Sequence, residues 1–177
     1  MFKQLEQFDI KNKTLGVIGL GNIGTRVAEI GRSKNLNVLC WNRTVKKIDF
    51  QAVEFDKIFK KSDIITLHLK LNAETEKIIK NKHLDLIKKD SIIINTVSSK
   101  LFEDVDYLIK IVDIKNIKLI LDFNEDKKLS ELTKLNKNII YTPHIAWKSE
   151  KSIFDLHQIV IENIKSYIKD DIKNQIK

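Results

Sequence analysis

The sequence predicts an α/β protein in which one doubly wound parallel sheet carries helices on both faces. Three observations predict it. Short apolar runs alternate with polar, helix-forming segments along most of the 177 residues. The runs are nearly continuous in Ile, Val and Leu, as strands covered on both faces must be. The first run ends in a glycine turn that opens directly into a helix.

Taken in order, the expected strands are residues 14–19, 37–41, 64–68, 91–95, 118–122 and 138–141, each a β-branched or Leu-rich run bounded by turn formers or charge. Helices are expected between them over 23–33, 56–61, 81–89, 103–112 and 128–135. A last helix is expected from Ser149 to about Lys169, because Ile153, Leu156, Val160, Ile164 and Ile168 recur at spacings of three and four. Its apolar stripe has two readings: it closes the domain's own core, or it docks on a second domain or subunit. Without a repeat or a linker-like stretch, residues 1–177 read as one domain with its core over 8–169.

Composition narrows the function classes. The chain carries 32 Lys and Arg against 24 Asp and Glu, a formal charge of +8. Only Arg26, Arg32 and Arg43 are Arg, the lysines are scattered, and no basic stripe is interleaved with aromatics, so nucleic-acid binding is not expected. No apolar stretch approaches the ~20 residues that cross a bilayer, and residues 1–13 lack a signal-peptide core, which reads as a cytoplasmic protein with no membrane partner. Cys40 stands alone, reads as a buried small hydrophobe in a reducing compartment, and leaves no metal site to expect.

Gly19-Leu20-Gly21-Asn22-Ile23-Gly24 fits G-x-G-x-x-G, with a strand leading in and a helix leading out. In that context the first Gly permits the turn, the second admits a pyrophosphate to the backbone, and the third lets helix and strand pack closely. The N–H groups from Asn22 and Ile23 onward would face the phosphates with the helix dipole behind them. A Rossmann-type dinucleotide site follows. The second strand ends in Asn42-Arg43-Thr44, with no carboxylate before Asp49. A guanidinium, a hydroxyl and an amide suit a ribose 2′-phosphate, so NADP(H) is favoured over NAD(H).

The only proline, Pro143, stops the last strand and presents His144 at a strand's carboxyl end, where open parallel sheets hold their ligands. His68, inside an apolar strand, reads as a satisfied residue lining the cofactor crevice. His83 and His157 sit in polar helical contexts and read as solvated.

From about residue 8 to 169 the chain resembles the nucleotide-binding domain of the D-isomer-specific 2-hydroxyacid dehydrogenases, particularly the glyoxylate/hydroxypyruvate reductase and glycerate dehydrogenase branch. The resemblance is carried by residues 13–24, by Ser62-Asp63-Ile64-Ile65-Thr66-Leu67-His68-Leu69, by Ile93-Ile94-Asn95-Thr96 and by Thr142-Pro143-His144-Ile145-Ala146-Trp147. It implies hydride transfer between a nicotinamide cofactor and a small 2-hydroxy or 2-keto acid. It also implies pyrophosphate binding at Asn22 and Ile23, contacts to ribose and nicotinamide from Leu69, Thr96 and Val97, and an acidic residue near the carboxamide at Asp122. His144 matches the family's acid/base, a role suited to a group that titrates near neutrality.

The pattern also departs from the family. Ser98 stands where the family's carboxylate-binding Arg belongs, and losing such a contact costs about 1.5–3 kcal/mol per hydrogen bond. Lys100 is near in sequence but lacks the planar fork. Lys70 replaces a usual Pro. The carboxylate that pairs with the His would fall at Lys127, leaving Glu125, Asp126 or none. The family's separate N-terminal substrate-binding domain is expected to be absent, so a partner domain or a homodimer would complete the cleft. The expectations are thus an oxidoreductase, or a truncated or diverged dinucleotide-binding module without activity of its own.

Overall fold

The computed structural model describes residues 9–43, 49–123, 131 and 136–174. The chain divides into two compact units, Met1–Pro143 and His144–Lys177. The first unit holds a seven-stranded sheet in the order β3-β2-β1-β4-β5-β6-β7, every neighbouring pair parallel. Its strands are β1 (Thr14–Ile18), β2 (Asn37–Trp41), β3 (Gln51–Ala52), β4 (Ile64–Leu67), β5 (Ile92–Asn95), β6 (Lys118–Asp122) and β7 (Ile139–Thr142). The helices are α1 (Asn22–Ser33), α2 (Phe55–Lys61), α3 (Asn81–Leu86) and α4 (Val105–Ile114), with a short 3-10 turn at Ser99–Leu101.

The sheet is covered on two faces. On one, Ile18, Ile58, Phe59, Ile65, Leu67, Leu108, Leu119 and Leu121 belong to a large buried cluster. On the other, Leu15, Val17, Ala28 and Cys40 pack together beneath α1. Each fully buried Ile, Leu or Phe contributes about 1.5–3 kcal/mol of hydrophobic stabilisation, which is why these strands are apolar at successive positions. Cys40 is a free, buried thiol whose pKa burial pushes up to about 11.

All six expected strands form, within a residue at each end. β3 was not expected, because two exposed residues at a sheet edge carry no apolar pattern. α3 stops at Leu86 instead of reaching residue 89. There the ammonium of Lys115 donates to the carbonyls of Asp85 (2.5 Å) and Ile87 (2.7 Å), satisfying the helix end, and Ile87 is already extended. α4 starts at Val105 because Asp104 caps it, accepting from the Tyr107 N–H at 3.1 Å. The helix expected over 128–135 lies outside the described residues, apart from Glu131.

The second unit is one helix, α5 (Glu150–Ile168), opened by a Ser149–Ser152 capping box. Leu156, Val160, Ile164 and Ile168 of its expected stripe are all exposed, with Phe154 and Ile161. Among the described residues, no helix is long and apolar enough to cross a membrane.

Candidate dinucleotide site

Strand order reverses between β1 and β4, so the helices that follow these strands leave on opposite sides and open a crevice at their carboxyl ends. A cavity of about 270 Å³ lies there, lined by Gly19, Gly21, Asn42, Arg43, His68, Leu69, Lys70, Asn72 and Thr75. Residues from the ends of β1, β2 and β4 therefore meet at one place.

The glycine turn is built for close approach. Gly19 has φ +97°, and a β-carbon on it would stand 2.7 Å from the His68 carbonyl oxygen. A β-carbon on Gly24 would stand 1.9 Å from the Gly19 carbonyl oxygen. Gly21 differs: its φ is −80°, and a β-carbon there would meet nothing within 4 Å. No atom of the described residues requires a glycine at that position, whereas a group seated against the backbone would. The residues present therefore fit a pyrophosphate.

α1 begins at this turn with Gly21 as its N-cap, no side-chain cap bond and no acidic residue in the first turn. Its first bond of the i to i−4 kind runs from the Thr25 N–H to the Gly21 carbonyl (3.0 Å), so Asn22, Ile23 and Gly24 have no partner inside the helix for their N–H groups. Such donors, at the positive end of the helix dipole, favour an anion. The loop is held by two bonds to the end of β2, from the Gly19 N–H to the Trp41 carbonyl (2.9 Å) and from the Leu20 N–H to the Asn42 side-chain oxygen (3.0 Å). Asn42 thus serves the turn as well as lining the cavity.

His68 lines the cavity half-buried, its Nε2 2.9 Å from the Thr66 hydroxyl, and burial lowers its pKa, which favours the neutral ring. Leu69 beside it is buried. Thr96, Val97 and Ser98 follow β5 and are not among the lining residues. They form a turn organised by the fully buried Asn95, whose side-chain oxygen accepts from the N–H of Val97 (2.9 Å) and Ser98 (3.3 Å), while its amide donates to the Ser98 carbonyl (2.9 Å). Ser98 is 1% exposed, and its hydroxyl accepts from the Lys100 N–H at 3.2 Å. Asp122, buried at the end of β6, accepts a 2.5 Å bond from the Thr142 hydroxyl. In the second unit His144 is exposed with φ 53°. Thr44, Glu125, Asp126 and Lys127 lie outside the described residues. No cluster of metal-ligating side chains occurs among the described residues.

The family profile described as "D-isomer specific 2-hydroxyacid dehydrogenase, NAD binding domain" matches residues 2–146. The chain belongs to this family. Among curated relatives of this NAD-binding domain, glyoxylate reductase of Thermococcus litoralis is 32% identical over 173 residues, covering 93% of this chain and 52% of that protein. A D-specific alpha-keto acid dehydrogenase of Enterococcus faecium is 31% identical, covering 87% and 52%. Among solved structures, an acyclic imino acid reductase in complex with NADPH and D-Arg superposes with a TM-score of 0.85 at 34% identity, covering 96% of this chain and 55% of that one. D-lactate dehydrogenase from Aquifex aeolicus, complexed with NAD and lactic acid, gives 0.79 at 28% identity, covering 97% and 58%. The chain spans about half the length of the curated relatives it matches.

Two residues of this NAD-binding domain gave no signal in the sequence. Glu74, from the loop after β4, forms an ion pair with Arg43 at the cavity. Only the fold brings a residue 31 positions away onto the end of β2, so spacing could not announce it. His83, expected in solvent, is 5% exposed: it stacks on Phe59 at 5.2 Å, its Nδ1 accepts from the Lys80 N–H at 2.8 Å, and its Nε2 lies 3.3 Å from Asp56. Its lysine neighbours point elsewhere while the ring fills the core, a three-dimensional choice that local polarity misreads.

Proposed function

We propose that this chain is the cofactor-binding half of an oxidoreductase that transfers hydride between a nicotinamide dinucleotide and a small 2-hydroxy or 2-keto acid. The observation that carries the reading is the crevice at the ends of β1 and β4, where Gly21 leaves open backbone at the uncapped start of α1. Gly19, Gly21, Asn22, Ile23 and Gly24 hold the pyrophosphate, and Asn42, Arg43 and Thr44 receive the adenosine ribose. Arg43 and Lys70 favour NADP(H) over NAD(H) at the cavity rim. Leu69, Thr96, Val97 and Asp122 are assigned toward the nicotinamide end, with Ser98 beside them.

When bound, the nicotinamide supplies or accepts the hydride. The chain's part in that step is His144, which gives a proton to the substrate carbonyl oxygen in reduction and takes it back in oxidation. Coverage of about half of each relative supports a separate substrate-binding domain that completes the cleft, with a homodimer as the other partner. The lone buried Cys40 suits a cytoplasmic setting.

A second reading is favoured by Ser98, a buried side chain at the position where the resemblance expects the family's carboxylate-binding Arg. On that reading the chain holds a dinucleotide without turning over substrate alone. The test mixes the chain with NADPH and either glyoxylate or hydroxypyruvate and follows the reduced cofactor's absorbance. Turnover that disappears in His144→Ala with NADPH binding intact supports the enzyme. NADPH binding without turnover supports the module.

A further inference from the structure

We infer that Glu74 sets the cofactor preference of this site by competing with a ribose 2′-phosphate for Arg43. The inference rests on the dinucleotide reading of the cavity and deepens it. Arg43 and Lys70, both at the cavity, supply positive charge that a 2′-phosphate would use. The Arg43 guanidinium is already paired with the Glu74 carboxylate. Glu74 does not arrive there by chance of a loose loop. Asn72 accepts from the N–H groups of Glu74 (3.0 Å) and Thr75 (3.1 Å) through its side-chain oxygen, and the Thr75 hydroxyl donates to the Lys70 carbonyl at 2.7 Å. Thr75 is itself buried, so the turn that carries Glu74 is pinned.

The two cofactors meet this arrangement differently. A free 2′-hydroxyl can donate to the Glu74 carboxylate, the chemistry that an acidic residue at the end of β2 supplies in NAD-binding domains. A 2′-phosphate must displace Glu74 from Arg43 and then remain near a like charge on a pinned turn. The ion pair is exposed at both partners, 48% and 66%, so it opens readily, yet the carboxylate stays within reach. The preference for NADP(H) is therefore narrow in the wild type, held down by Glu74 and held up by Lys70.

Dissociation constants of NADPH and NADH, followed by reduced-nicotinamide fluorescence, test this in wild type, Glu74→Gln and Lys70→Ala. Removing the Glu74 charge should raise the NADPH to NADH affinity ratio by about tenfold, equivalent to ~1.4 kcal/mol, and Lys70→Ala should lower it. Equal changes for both cofactors in Glu74→Gln, or none, overturn the inference while leaving the site reading intact. A folded wild type that binds neither cofactor overturns the site reading and this inference with it.

Discussion

The Gly19 carbonyl oxygen lies 1.9 Å from where a β-carbon on residue 24 would stand, so the turn and the first helix are locked backbone to backbone. Gly24→Ala must push the helix off the turn, since a carbonyl cannot rotate away as a flexible side chain could. Overpacking of this kind costs about 1–3 kcal/mol. Urea unfolding should report a loss in that range for Gly24→Ala, together with weakened dinucleotide binding. Wild-type stability in this variant would contradict the close approach.

Asn95 is fully buried and spends both ends of its amide on the turn after β5. Asn95→Leu keeps the volume but removes the acceptor of the Val97 and Ser98 N–H groups and one donor to the Ser98 carbonyl, which keeps the Leu101 N–H at 3.4 Å. Unsatisfied buried polar groups cost about 1–3 kcal/mol each. A drop of at least ~2 kcal/mol in unfolding free energy is expected, read from urea unfolding, and wild-type stability in this variant would contradict it.

His83 makes stability depend on pH. Burial lowers its pKa, outweighing the opposite pull of Asp56 and Glu103, and its Nδ1 must be unprotonated to accept from the Lys80 N–H. The folded state thus binds fewer protons at this ring than the unfolded state does. Its contribution is full above the unfolded value of about 6.5 and is lost as pH falls through the lower folded value. Wild type should lose stability steadily below about pH 6.5, and His83→Gln should flatten that slope. An unchanged slope in the variant would assign the acid sensitivity to another group.

Thr142 ties β7 to β6 through its 2.5 Å bond to the buried Asp122 carboxylate. Thr142→Val keeps the shape and removes the donor, and a typical hydrogen bond is worth about 0.5–1.5 kcal/mol. Thermal unfolding of Thr142→Val should fall by that amount, whereas Thr142→Ser should retain most of it.

Much of the architecture was legible because strands buried on both faces write themselves as unbroken apolar runs, and β1, β2 and β4–β7 all do so. The glycine turn was legible for a different reason: its spacing encodes backbone geometry that other residues cannot adopt. β3, too short and exposed to carry a pattern, was not. Nor were Glu74 and His83, whose partners lie far along the chain or in the core and are chosen by packing. Helix ends moved by two or three residues where Lys115 and Asp104 met backbone groups that local propensity does not see.

Calorimetric titration of NADPH into wild type and Gly21→Leu tests whether the open backbone at Gly21 receives a dinucleotide pyrophosphate. A β-carbon at residue 21 meets no atom of the described residues within 4 Å, so the variant should fold as the wild type does while blocking the ligand. Saturable single-site binding to the wild type is expected, with affinity weakened at least about tenfold, ~1.4 kcal/mol, in the variant. A folded wild type that takes up no NADPH, or a Gly21→Leu chain that binds it equally well, would rule out pyrophosphate binding at Gly21.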